Sequence, residues 1–170
     1  FKDLLIIKQK NNKDSRGILR ETFNNKIVKK KFIFEYCTTS KKNVFRGFHF
    51  QKKNKQAKYV NVVKGKILDL VIDLRRKSKT FGKVFSIILS KNNALGLYIP
   101  AGFAHAYFSY ENENIIYYKL DNYYNPKFEF GIDFNDPTLN IKLPRVKIKI
   151  SKKDRNLLSL DEFKKKFKFL

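Results

Sequence analysis

Between residues 30 and 120 the chain is a run of short segments rich in β-branched and aromatic residues, cut by turn signals at regular spacing. "KKKFIFEYCTT" (30–39), "AKYVNVVKG" (57–65) and "KILDLVIDL" (66–74) come first. "KVFSIILS" (83–90), "LGLYIP" (95–100), "AHAYFSY" (104–110) and "NIIYYKL" (114–120) follow. Side chains of these types fit a pleated, half-buried surface, and segments this short read as strands. Gly65 marks a tight turn, and "SKNN" and "ENEN" supply others. In 66–74, Leu68, Leu70, Ile72 and Leu74 share one face by period two, while Asp69 and Asp73 share the other. Many short strands at such spacing predict an antiparallel sandwich or barrel. Helix is scarce until the end. Ser159 and Glu162 in "SLDEFKKKFKF" form a capping-box pattern, and Phe163, Phe167 and Leu170 mark one side of a short basic helix over 159–170. Its phenylalanines are expected to pack on the same domain and its lysines to stay in water.

A length of 170 residues with 42% hydrophobic content predicts one domain over 1–170 with a substantial core. The apolar runs fall short of the roughly 18 residues a membrane-spanning helix needs, so no membrane partner is expected. "FKDLLIIKQK" at the N-terminus carries neither the apolar h-region nor the cleavage site of a signal peptide. Cys37 is the single cysteine, which excludes an internal disulfide framework and a multi-cysteine zinc site, and a cytoplasmic location is expected. The net charge of +23 suggests a polyanionic partner. The lysines are spread along the chain and not gathered into a stripe, however. A compositional drift towards lysine is therefore preferred, with no specific nucleic-acid partner.

The polar residues inside the strand pattern carry the chemistry. "RGFHFQ" (46–51) is too apolar for a loop tip and too polar for an ordinary core strand. On a strand, Gly47, His49 and Gln51 face one way and Phe48 and Phe50 the other. A buried imidazole without partners is costly, so His49 is either a hydrogen-bonded interior residue or part of a ligand site. Metal is disfavoured. His49 and His105 are the two histidines, and neither has a carboxylate at ligand spacing. Cys37 lies in an aromatic segment, where a thiol is ordinarily inert packing. No Gly-x-Ser-x-Gly elbow or phosphate-binding glycine loop occurs. Acid–base chemistry with His49 as base is left, and it needs a carboxylate to fix the tautomer and an acid on the far side of the substrate.

The order of the motifs resembles the dTDP-4-dehydrorhamnose 3,5-epimerase family: "SKKNVFRGFHFQ", "QAKYVNVVKGKILDLVIDLRRKSKTFGKV", "IPAGFAHAYFS", "YYKLDNYYNP" and "GIDFNDP". The likeness runs from about Asp14 to Asp154. It implies a mainly β, cupin-type jelly-roll barrel without metal or redox cofactor, a homodimer that exchanges N-terminal strands, and a nucleotide-linked 4-keto-6-deoxyhexose as substrate. The implied activity inverts C3 and C5, a step of rhamnose and polysaccharide biosynthesis. By the same resemblance His49 matches the general base and Asp154, in "ISKKD", its carboxylate partner. Tyr118, in "YYK", matches the acid on the opposite face, and strand alternation sends its neighbour Tyr117 the other way. Lys58, in "QAK", matches the cation beside the keto oxygen. Arg46, Gln51 and His105 match residues of the pocket motifs. Arg16 and Glu21, in "DSRGILRETF", match residues that reach the sugar nucleotide from the partner subunit. Tyr123 or Tyr124 is expected to stack on the base. Phe34 and Tyr36 stand where the family shows Gln-x-Asn, near the nucleotide or sugar.

Overall fold

The computed structural model describes residues 1–167, so Leu170 of the predicted helix lies outside the described residues. The strands are β1 (Leu5–Lys8), β2 (Lys10–Asp14), β3 (Gly17–Glu21), β4 (Phe34–Ser40), β5 (Phe45–Gln51) and β6 (Lys58–Lys64). They continue as β7 (Lys66–Asp73), β8 (Val84–Ser90), β9 (Leu95–Ile99), β10 (Phe103–Ser109), β11 (Asn114–Leu120) and β12 (Glu129–Gly131). A single α-helix among the described residues, α1 (Leu160–Lys166), comes near the end. Two antiparallel five-stranded sheets result, ordered β1-β9-β6-β11-β4 and β12-β5-β10-β7-β8, with β2–β3 as a separate hairpin. The mainly β jelly-roll with a short C-terminal helix is the fold the chain adopts. No helix among the described residues is long and apolar enough to cross a membrane.

The second sheet is buried on both faces. Its inner side, through Ile67, Val71, Phe103 and Tyr107, meets Val60, Val62, Leu97, Ile116 and Tyr118 of the first sheet. Its outer side, through Phe48, Phe50, Leu70, Ile72 and Phe108, is covered by Ile132, Leu139, Leu160, Phe163 and Phe167. A strand with no solvated face reads as a nearly continuous apolar run, which is why β10 is buried at every position. The even residues Leu70 and Ile72 of β7 go to the outer core, as period two requires. The odd ones turn inward, and both Asp69 and Asp73 are fully buried. Asp73 sits at the strand end and accepts from Arg75, Ser78 and Thr80. Those bonds hold its carboxyl down at about 2 against the burial that pushes it up.

Helix α1 begins as its sequence dictates. Ser159 accepts from the Glu162 backbone, and Glu162 accepts from the Ser159 backbone. Among the described residues the helix runs to Lys166, and positions 168–170 of the predicted segment lie outside them. The Arg76 guanidinium donates to the Lys164 and Phe167 carbonyls near the end of the helix. Phe163 and Phe167 pack edge-on against Phe50, with ring centroids 5.5 and 5.7 Å away. The helix therefore seals the outer face of the sheet that carries the polar residues described next.

Candidate active site

The two sheets separate at one end around a cavity of about 720 Å³. Its walls come from β4, β6 and β11 on one side and from β5, β10 and β12 on the other. The wall on β5 is built by an irregularity. His49 pairs with His105 of β10, and Arg46 pairs with Tyr107, so three steps on β5 face two on β10. The extra residue is a bulge, and it restarts the alternation. Arg46 and His49 consequently both line the cavity, while Phe45 and Phe48 lie 5.9 Å apart in the outer core. Gly47 permits it. Its φ is +118°, and a Cβ there would meet the Ala106 Cβ and the His105 carbonyl at 2.5 Å.

His49 finds its partner far along the chain. Residues 43–45 and 149 exchange backbone hydrogen bonds, including Phe45 N–H to the Lys149 carbonyl at 2.9 Å. That docking sets the one-turn helix Lys153–Arg155 beside β5. Asp154 Oδ1 lies 2.7 Å from His49 Nε2, and Oδ2 accepts from Gly47 N–H at 3.4 Å. Burial pushes the Asp154 carboxyl up, but the bonds from His49, Gly47 and Ser151 outweigh it and hold the group below its ordinary value. An ionised Asp154 accepts Nε2–H and leaves Nδ1 as the nitrogen with a free lone pair. Nδ1 faces Glu129, whose Oε1 is 4.0 Å away. From the opposite sheet, Lys58 of β6 and Tyr118 of β11 reach the same cavity. Burial pulls the Lys58 ammonium down to about 8, against the attraction of Glu129 and Asp69. Burial also drives the Tyr118 phenol well above its ordinary value, so it is held as a proton donor. Tyr117, next in sequence, points to the outer face and bonds Glu35.

An imidazole–carboxylate pair thus faces an ammonium and a phenol across one cavity. The chain matches the family model described as dTDP-4-dehydrorhamnose 3,5-epimerase over residues 1–162. It is 36% identical to the dTDP-4-dehydrorhamnose 3,5-epimerase of Methanothermobacter thermautotrophicus over 93% of this chain and 90% of that one. The chain belongs to the dTDP-4-dehydrorhamnose 3,5-epimerase family. It is an isomerase by that membership. The Legionella pneumophila dTDP-6-deoxy-D-glucose-3,5-epimerase, solved in complex with dTDP-4-keto-L-rhamnose, superposes with a TM-score of 0.91 at 33% identity, covering 95% of this chain and 89% of that one. The Bacillus anthracis dTDP-4-dehydrorhamnose 3,5-epimerase, solved with TDP and pyrophosphate bound, gives 0.90 at 33% identity, with 93% and 94% covered.

Within this epimerase-family fold, the remaining predicted residues fall into three groups. Arg46 and His105 line the cavity with His49, Lys58 and Tyr118. Gln51 does not line the cavity. Its amide donates to the Asn54 and Tyr123 carbonyls, and its oxygen accepts from Asn125 N–H at 2.6 Å. These bonds tie the loop after β5 to the loop after β11. Tyr123 is 65% exposed, with its ring 5.9 Å from that of the cavity-lining Phe34, while Tyr124 lines the cavity itself and donates to Glu129 at 2.9 Å. Arg16 and Glu21 lie on the exposed β2–β3 hairpin, away from the cavity of their own chain, with Arg16 paired to Asp14 at 2.6 Å.

Several residues in the wall or directly behind it escape a reading of strand faces. Asp69 holds His105 Nε2 at 2.9 Å, a second buried histidine–carboxylate pair. An aspartate inside an apolar strand is its signal, but the partner comes from β10. Glu129 sits between the His49 imidazole and Lys153, to which it is hydrogen-bonded. Tyr36 stacks on Tyr118 at 4.7 Å with rings 23° apart, so the aromatic that replaces the family's Asn packs directly on the phenol. Among the described residues no three His, Cys, Asp or Glu side chains converge as a metal-ligand set.

Proposed function

We propose that the protein inverts C3 and C5 of a dTDP-linked 4-keto-6-deoxyhexose by proton removal and return next to the ketone. His49 Nδ1 takes the proton on carbon. The electron pair moves to the keto oxygen, where the Lys58 ammonium meets the charge as it develops; a fixed cation there favours the enolate over the neutral ketone. Tyr118 then gives its hydroxyl proton to the opposite face of the same carbon, which inverts it. Exchange with solvent returns a proton to Tyr118 and removes one from His49, and the second carbon follows. Asp154 stays ionised and stabilises the imidazolium. The observation that carries this reading is the 2.7 Å His49–Asp154 pair on one sheet, opposed by Lys58 and Tyr118 from the other across one cavity.

The guanidinium of Arg46, exposed beside the cavity, suits a diphosphate by its forked donors. A homodimer with exchanged N-terminal strands is supported by the hairpin, where Ile18 and Leu19 are 59% and 72% exposed. A second copy would cover them and bring Arg16 and Glu21 to its neighbour's cavity. A cytoplasmic location fits the nucleotide-linked substrate and the free thiol of Cys37.

Incubation with dTDP-4-keto-6-deoxyglucose in deuterated water tests the reading. Deuterium at both C3 and C5 with inversion is the expected result. Label at one carbon only would make the protein a single-centre epimerase, and no label would leave a sugar-nucleotide binder.

A further inference from the structure

Inversion of two carbons by one imidazole sets a requirement on His49. The proton it takes from the first carbon must leave before it can take one from the second. Asp154 occupies Nε2, so that proton has to depart from Nδ1.

Glu129 stands where a receiving group is needed. Strand β12 lies along β5, with Glu129 opposite Gln51 and Gly131 opposite His49. A long side chain at 129 therefore reaches diagonally to the imidazole. Its two oxygens are used unequally. Oε2 accepts from the Tyr124 hydroxyl at 2.9 Å and from the Lys153 ammonium. Oε1 has no hydrogen bond among the described residues and lies 4.0 Å from His49 Nδ1. Lys153 and Asp154 are neighbours in the one-turn helix, so one segment supplies the Nε2 partner and pins the carboxylate that faces Nδ1. We infer that Glu129 Oε1 receives the proton from His49 Nδ1 and passes it to water, freeing His49 for the second carbon while the same sugar stays bound.

The step balances. The Nδ1–H bond breaks, its electron pair stays on nitrogen, and an Oε1–H bond forms. The carboxyl then releases its proton to water at the cavity wall, where Lys153 is exposed. The proton lost there matches the one that Tyr118 regains from solvent. Transfer needs a separation of about 3 Å, and a tilt of the imidazole or one bridging water closes the gap. Burial pushes the Glu129 carboxyl up, but Lys153, His49 and Tyr124 together hold it below its ordinary value. Glu129 therefore holds the proton only in transit.

This inference rests on His49 being the base for both carbons, and the test separates the two ideas. Glu129→Gln keeps the size of the side chain and an oxygen for Tyr124 and Lys153, but an amide carries no proton. Inversion at C3 and at C5 of dTDP-4-keto-6-deoxyglucose in deuterated water is followed separately by NMR. The second inversion is expected to slow about a hundredfold relative to the first, the lower end of what a positioned proton acceptor contributes. Product inverted at one carbon then accumulates. Added imidazole or formate restores the second inversion in Glu129→Gln and leaves the wild type unchanged. A merely displaced Lys153 would not respond to either buffer. Glu129→Asp, which withdraws the carboxylate by one methylene, is expected to show a milder lag with the same buffer response, and it serves where Glu129→Gln fails to fold. A wild-type ratio of the two inversions in Glu129→Gln, or equal slowing of both carbons without a buffer response, would overturn the relay and leave Glu129 a bracket for Lys153. Full exchange by His49→Ala would instead overturn the base assignment beneath it.

Discussion

Asp154→Asn isolates the charge of the carboxylate from its geometry. The amide oxygen still accepts His49 Nε2–H, so the tautomer that exposes Nδ1 survives, but the imidazolium formed on proton abstraction loses its counter-charge. The atoms in contact are 2.7 Å apart. Charge centres roughly 4 Å apart attract by about 4 kcal/mol at an effective dielectric near 20. His49 is 26% exposed at its side chain. Water screens part of that attraction and leaves about 2–3 kcal/mol. At about 1.4 kcal/mol per factor of ten, the rate of carbon–deuterium exchange should fall about 30- to 150-fold. KM should change little, because Asp154 acts through His49. Single-turnover deuterium uptake at neutral pH reads the step directly. Asp154→Ala should be slower still, since it leaves Gly47 N–H and the imidazole without an acceptor. Exchange by Asp154→Asn within about threefold of wild type would refute the idea that the carboxylate supports a transient imidazolium.

Three more expectations concern other parts of the molecule. The Lys58 ammonium is pulled by burial to about 8 from an ordinary 10.5, so activity that needs it protonated is full below about 8 and declines above it. The same shift acts oppositely on folding: burial of the charge opposes stability below about 8 and ceases to as pH rises from there to 10.5, so denaturation midpoints should not fall with activity. Lys58→Arg should push the alkaline decline upward, and a decline at the same pH in that variant would assign it elsewhere. Gly47→Ala forces a Cβ to within 2.5 Å of Ala106 and the His105 carbonyl at a positive φ. Overpacking and backbone strain together cost about 3–5 kcal/mol, so thermal unfolding should drop by roughly 10 °C or more, and an unchanged midpoint would deny the bulge its tight packing. Leu19→Asp charges the exposed apolar hairpin and should give a monomer by sedimentation or light scattering, whereas an unaffected dimer would place the contact elsewhere.

Local patterns in the chain account for much of the architecture. The period-two segments mark the strands of both sheets, although the N-terminal β1, β2 and β3 carry no comparable signal because they are short and exposed. The Ser159–Glu162 box marks where α1 begins, since both of its hydrogen bonds close within one turn. Alternation alone separates Tyr118, inside, from Tyr117, outside. It fails at β5. Strict period two opposes Arg46 to His49, whereas the bulge at Gly47 turns both to the cavity. Gln51 shows the converse, because a polar residue on a promising face is taken up by a loop that the strand pattern does not reveal.

What the sequence determined by itself is which segments extend, which faces are apolar, where one helix starts, and which family the motifs resemble. What only the tertiary structure decided is the convergence: Asp154 against His49 across 105 residues, Asp69 against His105, and the hydrogen-bonded line from Arg46 through Ser40 and Tyr107 to Thr38. Periodicity is a property of neighbours along one strand. A contact made by stacking two sheets and docking a distant segment depends on packing that no single stretch of chain contains.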